Sequence, residues 1–172
     1  MVPIGKGVEY ALHCLLYLID LPPGGALTIA NIAEYQGISE SYLAKIFTQL
    51  KKAGLVTSSI GSKGGYELAR SPESISFWDV VVAIEGEPRL FECREIRGSG
   101  ALYRSAAKKP DWSSIGPCEI HKVMLEAETG VRAVLEKYNL EGLSRQVKKK
   151  VPREDREKTA QWFSTRISGT ER

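Results

Sequence analysis

The sequence has few of the residues on which enzymes, metalloproteins and disulfide-rich domains usually depend. Its 172 residues include only three cysteines and two histidines. It also lacks an apolar run long enough to span a membrane and an N-terminal signal-peptide pattern, so we expect a cytoplasmic protein. In that reducing compartment three cysteines do not indicate a disulfide scaffold, which leaves buried thiols, redox chemistry or metal ligation.

Signatures of catalysis are also missing from the sequence. There is no Cys-x-x-Cys pair, no nucleotide-binding fingerprint and no pattern of paired carboxylates, so we expect that the protein is not an enzyme. The composition is that of an ordinary globular domain, with 42% hydrophobic and 26% charged residues. A net charge of +3 permits nucleic-acid binding without requiring it.

The most informative stretch of the chain predicts a helix-turn-helix. Thr28 can cap a short helix, and a tight turn at Gly37 ends it, because glycine tolerates the positive φ of a helix terminus. Ser39 can cap a second helix, in which apolar residues recur at helical spacing until Ala53. These signals indicate two helices that pack across each other around a sharp turn.

A β-wing follows the second helix. Two β-like runs, residues 55–60 and 65–69, are joined by a glycine-rich segment that carries a lysine, which indicates a hairpin with a positively charged tip. We therefore predict a mainly α fold with a small β-wing, in which the second helix enters a DNA major groove. The predicted DNA contacts are Thr28, Ser39, Ser41, Tyr42, Lys45, Lys63, Gly64, Gly65 and Tyr66.

Two other interpretations of this stretch remain open. It can be an ordinary helical hairpin followed by a β-turn, in which the serines act only as caps. It can also be a module that binds other proteins. The combination of cap, turn, second helix and glycine-rich wing favours DNA binding over either alternative, although each signal alone is weak.

The predicted first helix, residues 7–21, carries three residues with chemical potential. Glu9 and His13 are four apart and share one face, and this spacing alone favours an exposed, hydrogen-bonded pair. Cys14 lies among apolar residues, and we expect a thiol packed in the core. After the wing, Ser76 can cap a helix over residues 77–85.

A long irregular segment, residues 90–117, separates these elements from a long amphipathic helix and is bracketed by Cys93 and Cys118. Such a helix after a small DNA-binding head is a usual means of dimerisation, and the alternative is packing onto its own domain. We divide the chain into a winged helix-turn-helix domain, a loop, a dimerisation helix and a polar, partly helical or disordered tail. These segments cover residues 1–88, 89–117, 118–147 and 148–172.

Four motifs resemble the Rrf2 family of bacterial winged-helix regulators, the group of IscR and NsrR. They are GVEYALHCLLYL, IAEYQGISESYLAKIFTQLKKAGLV, GSKGGYELAR and ISFWDVVVAIEG, and the resemblance extends over residues 5–138. It implies a homodimeric transcription factor, commonly a repressor, that binds double-stranded operator DNA. In this family DNA affinity often depends on an iron–sulfur cluster.

The resemblance also implies a ligand set for that cluster. IscR-type members place three closely spaced cysteines in the loop, whereas this loop is bracketed only by Cys93 and Cys118. The motifs GVEYALHC and FECREIR look closest to the redox-sensing RsrR branch. By matching position, Cys93 and Cys118 of one chain would hold a 2Fe–2S cluster together with Glu9 and His13 of the other.

Two alternatives to this ligand set stay open. His121 lies three residues after Cys118, where IscR-type members use a histidine, and can replace His13. The cluster can also be lost altogether, in which case the protein would be a regulator of the same family that senses through thiols or a small ligand.

Overall fold

The structure, a computed structural model, describes residues 4–61, 64–87, 89–103 and 110–166. Its first part contains three helices and a two-stranded sheet: α1 (Lys6–Tyr17), α2 (Ile29–Gln36), α3 (Glu40–Lys52), β1 (Val56–Ser59) and β2 (Gly65–Leu68). Its second part contains four helices: α4 (Phe77–Glu85), α5 (Glu119–Lys137), α6 (Leu140–Lys150) and α7 (Arg153–Ser164). Short 3₁₀ turns lie at Pro72–Ser74, Ile96–Gly98, Ala101–Tyr103 and Asp111–Ser114.

The helix-turn-helix forms where its local signals predict it. The Thr28 side chain accepts the backbone N–H of Asn31, and the Ser39 side chain accepts that of Tyr42 at 3.2 Å. Gly37 ends α2 with φ of 66°. Each contact satisfies one of the backbone groups that a helix terminus leaves unpaired. The prediction of a mainly helical fold with a small β-wing is confirmed.

One hydrophobic core joins helices α1–α4 and the wing, which we together call the head. Leu15 of α1, Leu43 and Phe47 of α3, and Val80 of α4 are fully buried within it. Helix α4 spans the predicted residues 77–85 and begins with a capping box between Ser76 and Asp79. The apolar faces of α1, α3 and α4 therefore meet in this core. Their packing fixes the orientation of α3 and of its polar N-terminal turn.

The wing is a single antiparallel hairpin in which Val56 pairs with Leu68. Leu27, ahead of α2, adds an isolated bridge to Tyr66 and brings this part of the backbone close to the second strand. A Cβ atom at Gly65 would lie 2.9 Å from the Leu27 carbonyl carbon, so only glycine fits this close approach. The hairpin is thereby attached to the start of the helix-turn-helix.

Helix α5 differs from the helices of the head, because none of its 19 residues, all of them described by the structure, is buried. Its apolar side chains recur at alternating steps of four and three residues, the spacing of a coiled-coil seam. We call these exposed residues the α5 stripe: Ile120, Met124, Ala127, Val131, Val134 and Tyr138, the last of which caps the helix. A side of α5 next to this stripe packs on α4, where Arg132 lies over the Trp78 ring at 5.5 Å.

The C-terminal segment packs on the rest of the chain. The segment predicted as a polar, partly helical or disordered tail is helical over Arg153–Ser164, and Phe163 is only 5% exposed. The Phe163 ring packs against Tyr17 and Tyr35, with centroids 4.9 and 4.8 Å away. The polar composition of the segment does not predict this packing, since two aromatic residues are enough to anchor an otherwise charged helix. Residues 167–172 lie outside the described part of the chain.

Candidate DNA-binding face and cysteine pair

The N-terminal turn of α3 presents a small, polar and exposed surface. Ser39, Ser41 and Lys45 are all exposed, and Tyr42 is 40% exposed. The hydroxyl oxygens of Ser39 and Ser41 lie 3.2 Å apart, so they share one hydrogen bond and keep further capacity for an external partner. Hydroxyls and an ammonium group at a helix N-terminus can reach phosphates and base edges.

Other residues predicted to contact DNA also make contacts that stabilise the fold. Thr28 is half-buried and caps α2, and the half-buried Tyr66 ring packs edge-on against Phe47 at 4.8 Å. Gly64 donates its N–H to the Gly61 carbonyl at 2.8 Å and closes the hairpin turn. These contacts shape the wing, and direct contact with DNA stays a prediction for each of them. Lys63 lies outside the described residues.

Helix α1 touches the candidate DNA-binding face through one aromatic contact. The Tyr10 ring meets the Tyr42 ring edge-to-face, with centroids 5.8 Å apart. Tyr10 follows Glu9 directly in the chain, and both Glu9 and His13 are exposed on α1. No local sequence pattern predicts this pair, because nothing local determines which α1 residue packs on α3.

The two cysteines that bracket the loop meet in the structure. The Sγ atoms of Cys93 and Cys118 lie 3.9 Å apart, and both residues are free and half-buried. Cys118 is the N-cap of α5, and its sulfur accepts the backbone N–H of His121 at 3.3 Å. Cys93 accepts the backbone N–H of Glu95 at 3.4 Å. Each sulfur therefore has a donor suited to a thiolate.

The distance between these sulfurs fits a shared metal ion. Thiolates bound at about 2.3 Å to one tetrahedral metal lie roughly 3.8 Å apart, whereas disulfide sulfurs are about 2.05 Å apart. Among the residues that the structure describes, however, no group of three cysteine, histidine or acidic side chains could hold a metal. The described part of one chain therefore brings together a pair of thiols without further metal ligands beside them.

The structure does not bring the predicted α1 ligands to the cysteines of the same chain. Glu9 and His13 are exposed on α1, and no described metal-binding group contains them. The His121 ring lies near Phe91, with centroids 5.9 Å apart. Cys14 is fully buried, as predicted, and burial raises its pKa to about 12, which keeps the thiol protonated.

Sequence reasoning missed Arg97, which lies between the two cysteines in the chain. Its guanidinium bonds both carboxylate oxygens of Glu95 and donates to the carbonyls of Ile115 and Gly116. The only available signal was a pair of opposite charges two residues apart, which is common on protein surfaces. The bonds to carbonyls 18 and 19 residues away depend on the fold of the loop.

Comparison with known proteins identifies a family to which the sequence of this chain is similar. The model of the Rrf2 family, described as an iron-dependent transcriptional regulator, matches residues 4–146. Over 81 residues the chain is 43% identical to Protein rrf2 of Nitratidesulfovibrio vulgaris, a match that covers 45% of this chain and 54% of that protein. The chain thus spans about half the length of this relative.

Two solved structures have a similar fold. The global cysteine regulator CymR of B. subtilis is 25% identical, with a TM-score of 0.62 over 85% of this chain and 98% of CymR. The IscR protein of T. potens is 23% identical, with a TM-score of 0.62 over 87% of this chain and 91% of IscR, and at this identity the likeness concerns the fold alone.

The described residues contain no helix that combines the length and apolarity needed to cross a bilayer. The family consists of transcriptional regulators, which confirms the prediction that the protein is not an enzyme. The match covers most of the chain and includes the winged helix, the cysteine-bracketed loop and α5. The chain belongs to the Rrf2 family of transcriptional regulators.

Proposed function

We propose that this chain is a homodimeric repressor that binds operator DNA in the cytoplasm under the control of a 2Fe–2S cluster. The cluster would be shared between two protomers, as in the RsrR branch that the sequence resembles. The observation that carries the proposal is the Cys93–Cys118 pair, with sulfurs 3.9 Å apart at the start of an uncovered apolar helix. The description of the family as iron-dependent supports iron as the metal.

DNA binding is supported by the exposed N-terminal turn of α3. Ser39, Ser41, Tyr42 and Lys45 are displayed there by a helix whose other face is fixed in the core. In a two-fold dimer, two such turns meet successive major grooves one helical turn apart. Most of these contacts would go to phosphates and position the protein, and the remainder would read bases.

Dimerisation is supported by the α5 stripe. Its middle and last residues, Val131, Val134 and Tyr138, are 40%, 58% and 56% exposed, which is unusual for apolar side chains at a regular seam spacing. A second copy of α5 would bury the stripe by presenting the same residues, since a two-fold interface is self-complementary.

The donor set of the proposed cluster fits an exchange of residues between protomers. Cys93 and Cys118 form a matched pair in one chain, while Glu9 and His13 are exposed on α1 and free to meet a second copy. Two thiolates would hold one iron, and an imidazole and a carboxylate the other. When bound, such a cluster supplies one-electron chemistry at a potential raised by the imidazole ligand. The carboxylate is the weakest of the four ligands for iron.

A short route connects this centre to the DNA-binding face. Tyr10 lies beside Glu9 on α1 and packs against Tyr42 on α3 at 5.8 Å. A shift of α1 would therefore be transmitted to the first turn of the recognition helix. If the two states of the protein differ by about 1–3 kcal/mol in DNA binding, operator affinity changes by roughly 5–150-fold.

The test of this proposal is anaerobic reconstitution with iron and sulfide. We expect wild-type protein to gain visible absorption and stoichiometric iron, and Cys93→Ala to gain neither. Cys14→Ala serves as the matched control, because Cys14 is buried in the core away from the candidate centre. A wild-type protein that stays colourless after reconstitution would refute the cluster.

A second candidate function uses the same pair of thiols without a metal. Cys93 and Cys118 are free, half-buried and close enough to form a disulfide after a small movement, with two electrons and two protons passing to an oxidant. The similarity to CymR, a global cysteine regulator, favours this alternative. It predicts a colourless protein whose DNA affinity changes on thiol oxidation and does not change in Cys118→Ala.

A further inference from the structure

Arg97 joins the two ends of the cysteine-bracketed loop. On one side its guanidinium forms a two-pronged contact with Glu95, including an Nη2–Oε2 distance of 2.7 Å. On the other side it donates to the Gly116 carbonyl at 2.8 Å and to the Ile115 carbonyl at 3.4 Å. Its partners thus lie two residues after Cys93 and two and three residues before Cys118.

The backbone around this contact is bent in an uncommon way. Glu95 is the only non-glycine residue of the described chain with positive φ, at 47°, and Gly116 has φ of 59°. A side chain in the left-handed region is strained and persists only when its surroundings hold it there. The bend lets Glu95 donate its N–H to Cys93 Sγ while its carboxylate holds Arg97.

The same guanidinium carries its positive charge between the two ends of the loop. The pKa of Arg97 is raised, first by its hydrogen bond with Glu95 and also by Cys118 and Cys93. Its side chain is only 22% exposed, so solvent screens this charge less than that of a free surface arginine. The clamp therefore holds a fixed positive charge within the loop that the two cysteines bracket.

We propose that Arg97 is a positioning residue for the Cys93–Cys118 pair: it clamps the loop ends together and supplies the charge that balances the two thiolates. The inference deepens the proposed function and rests on it for the identity of the occupant, a thiolate-bound metal centre. Only arginine offers a planar fork that can hold a carboxylate and two carbonyls at once. The competing possibility is a surface ion pair without influence on the cysteines, and such pairs are common.

The experiment is a titration of the reduced, metal-free protein with Cd²⁺, followed through the ultraviolet absorption of cadmium–thiolate bonds. We expect Arg97→Gln to weaken cadmium binding about tenfold, since it removes several charge-assisted hydrogen bonds and the charge itself. Arg97→Lys keeps the charge without the fork and should fall between wild type and Arg97→Gln. Arg94→Gln, an exposed arginine of the same loop, is the matched control and should bind as wild type does.

Two results would overturn the clamp. One is equal cadmium affinity of Arg97→Gln and wild type, and the other is a wild type that shows no cadmium–thiolate absorption. Thermal unfolding of all variants shows whether the head remains folded, and the graded order of Arg97→Lys and Arg97→Gln separates positioning from a general loss of structure.

Reconstitution with iron and sulfide separates this inference from the proposed cluster. If wild type stays colourless but the variants keep the predicted order of cadmium affinities, the cluster is refuted and the clamp is supported. If the cluster forms, Arg97→Gln should lower its reduction potential, because a lost positive charge makes the added electron less favourable. An unchanged potential together with unchanged cadmium affinity would leave the cluster in place and reject the clamp.

Discussion

Helices α3 and α5 are both amphipathic, but the described part of the chain buries the apolar face of α3 and leaves the α5 stripe exposed. Leu43, Phe47 and Leu50 of α3 are fully buried, whereas α5 buries none of its residues. The α5 stripe repeats as regularly as the apolar face of α3, so the difference lies in what packs against each helix. The difference supports the proposal that α5 forms one half of a dimer interface.

The largest effect should come from a charge placed in the α5 stripe. We expect Val134→Glu to separate the dimer and to weaken operator binding by roughly 10²–10⁴-fold, since the two heads would bind independently. Sedimentation and fluorescence anisotropy measure the two quantities. Thr129→Glu, on the other side of α5, is the control and should leave both unchanged.

Truncation should affect the free energy of unfolding strongly in the core of the head and weakly in the α5 stripe. Phe47→Ala should lower the free energy of unfolding by about 3–5 kcal/mol, because a buried ring leaves a cavity. Ile120→Ala removes a side chain that is 66% exposed and should leave the folding of the head nearly unchanged. Chemical denaturation of both variants at low protein concentration provides the measurement. Equal losses would mean that the α5 stripe is covered by its own chain.

The stability of the head should also depend on pH through one buried thiol. The pKa of Cys14 is raised by burial from 9.0 to about 12, so the folded state keeps a proton that the unfolded state loses. This contribution to stability is complete below pH 9 and is lost as the pH rises towards 12. The loss amounts to about 1.4 kcal/mol per pH unit. Cys14→Ala should flatten the decline in denaturation curves between pH 9 and 11, and an unchanged slope would assign the decline to other groups.

A smaller effect is expected at the wing. Lys63→Ala should weaken binding to all DNA sequences alike and reduce the slope of log affinity against log salt by about one, because one phosphate contact is lost. Lys137→Ala, at the end of α5, is the control. If the salt slope of Lys63→Ala equals that of wild type, the wing tip does not contact DNA.

The parts of the fold that local chemistry determines were predictable from the sequence. Thr28, Ser39 and Ser76 each cap the helix that they precede, and α4 has the predicted bounds. Helix α1 ends at Tyr17, four residues earlier than predicted. In these cases the residues that determine the structure are neighbours in the sequence of the element that they shape.

The contacts that were missed all join distant parts of the chain. Phe163 docks on Tyr17 and Tyr35, and Arg97 bonds to carbonyls at the far end of its loop. No spacing rule predicts such contacts, because they depend on how complete elements pack. The proposed ligand set has the same limit, since one chain does not bring Glu9 and His13 together with the two cysteines in a metal-binding group among its described residues.

A mixed dimer tests the shared centre most directly. One protomer carries Glu9→Ala and His13→Ala, and the other carries Cys93→Ala and Cys118→Ala. If ligands come from both chains, each variant alone is colourless after reconstitution, while the mixed dimer regains one intact site and half of the wild-type iron. A mixed dimer that stays colourless, or a Glu9→Ala/His13→Ala homodimer that keeps its full iron content, would contradict the account.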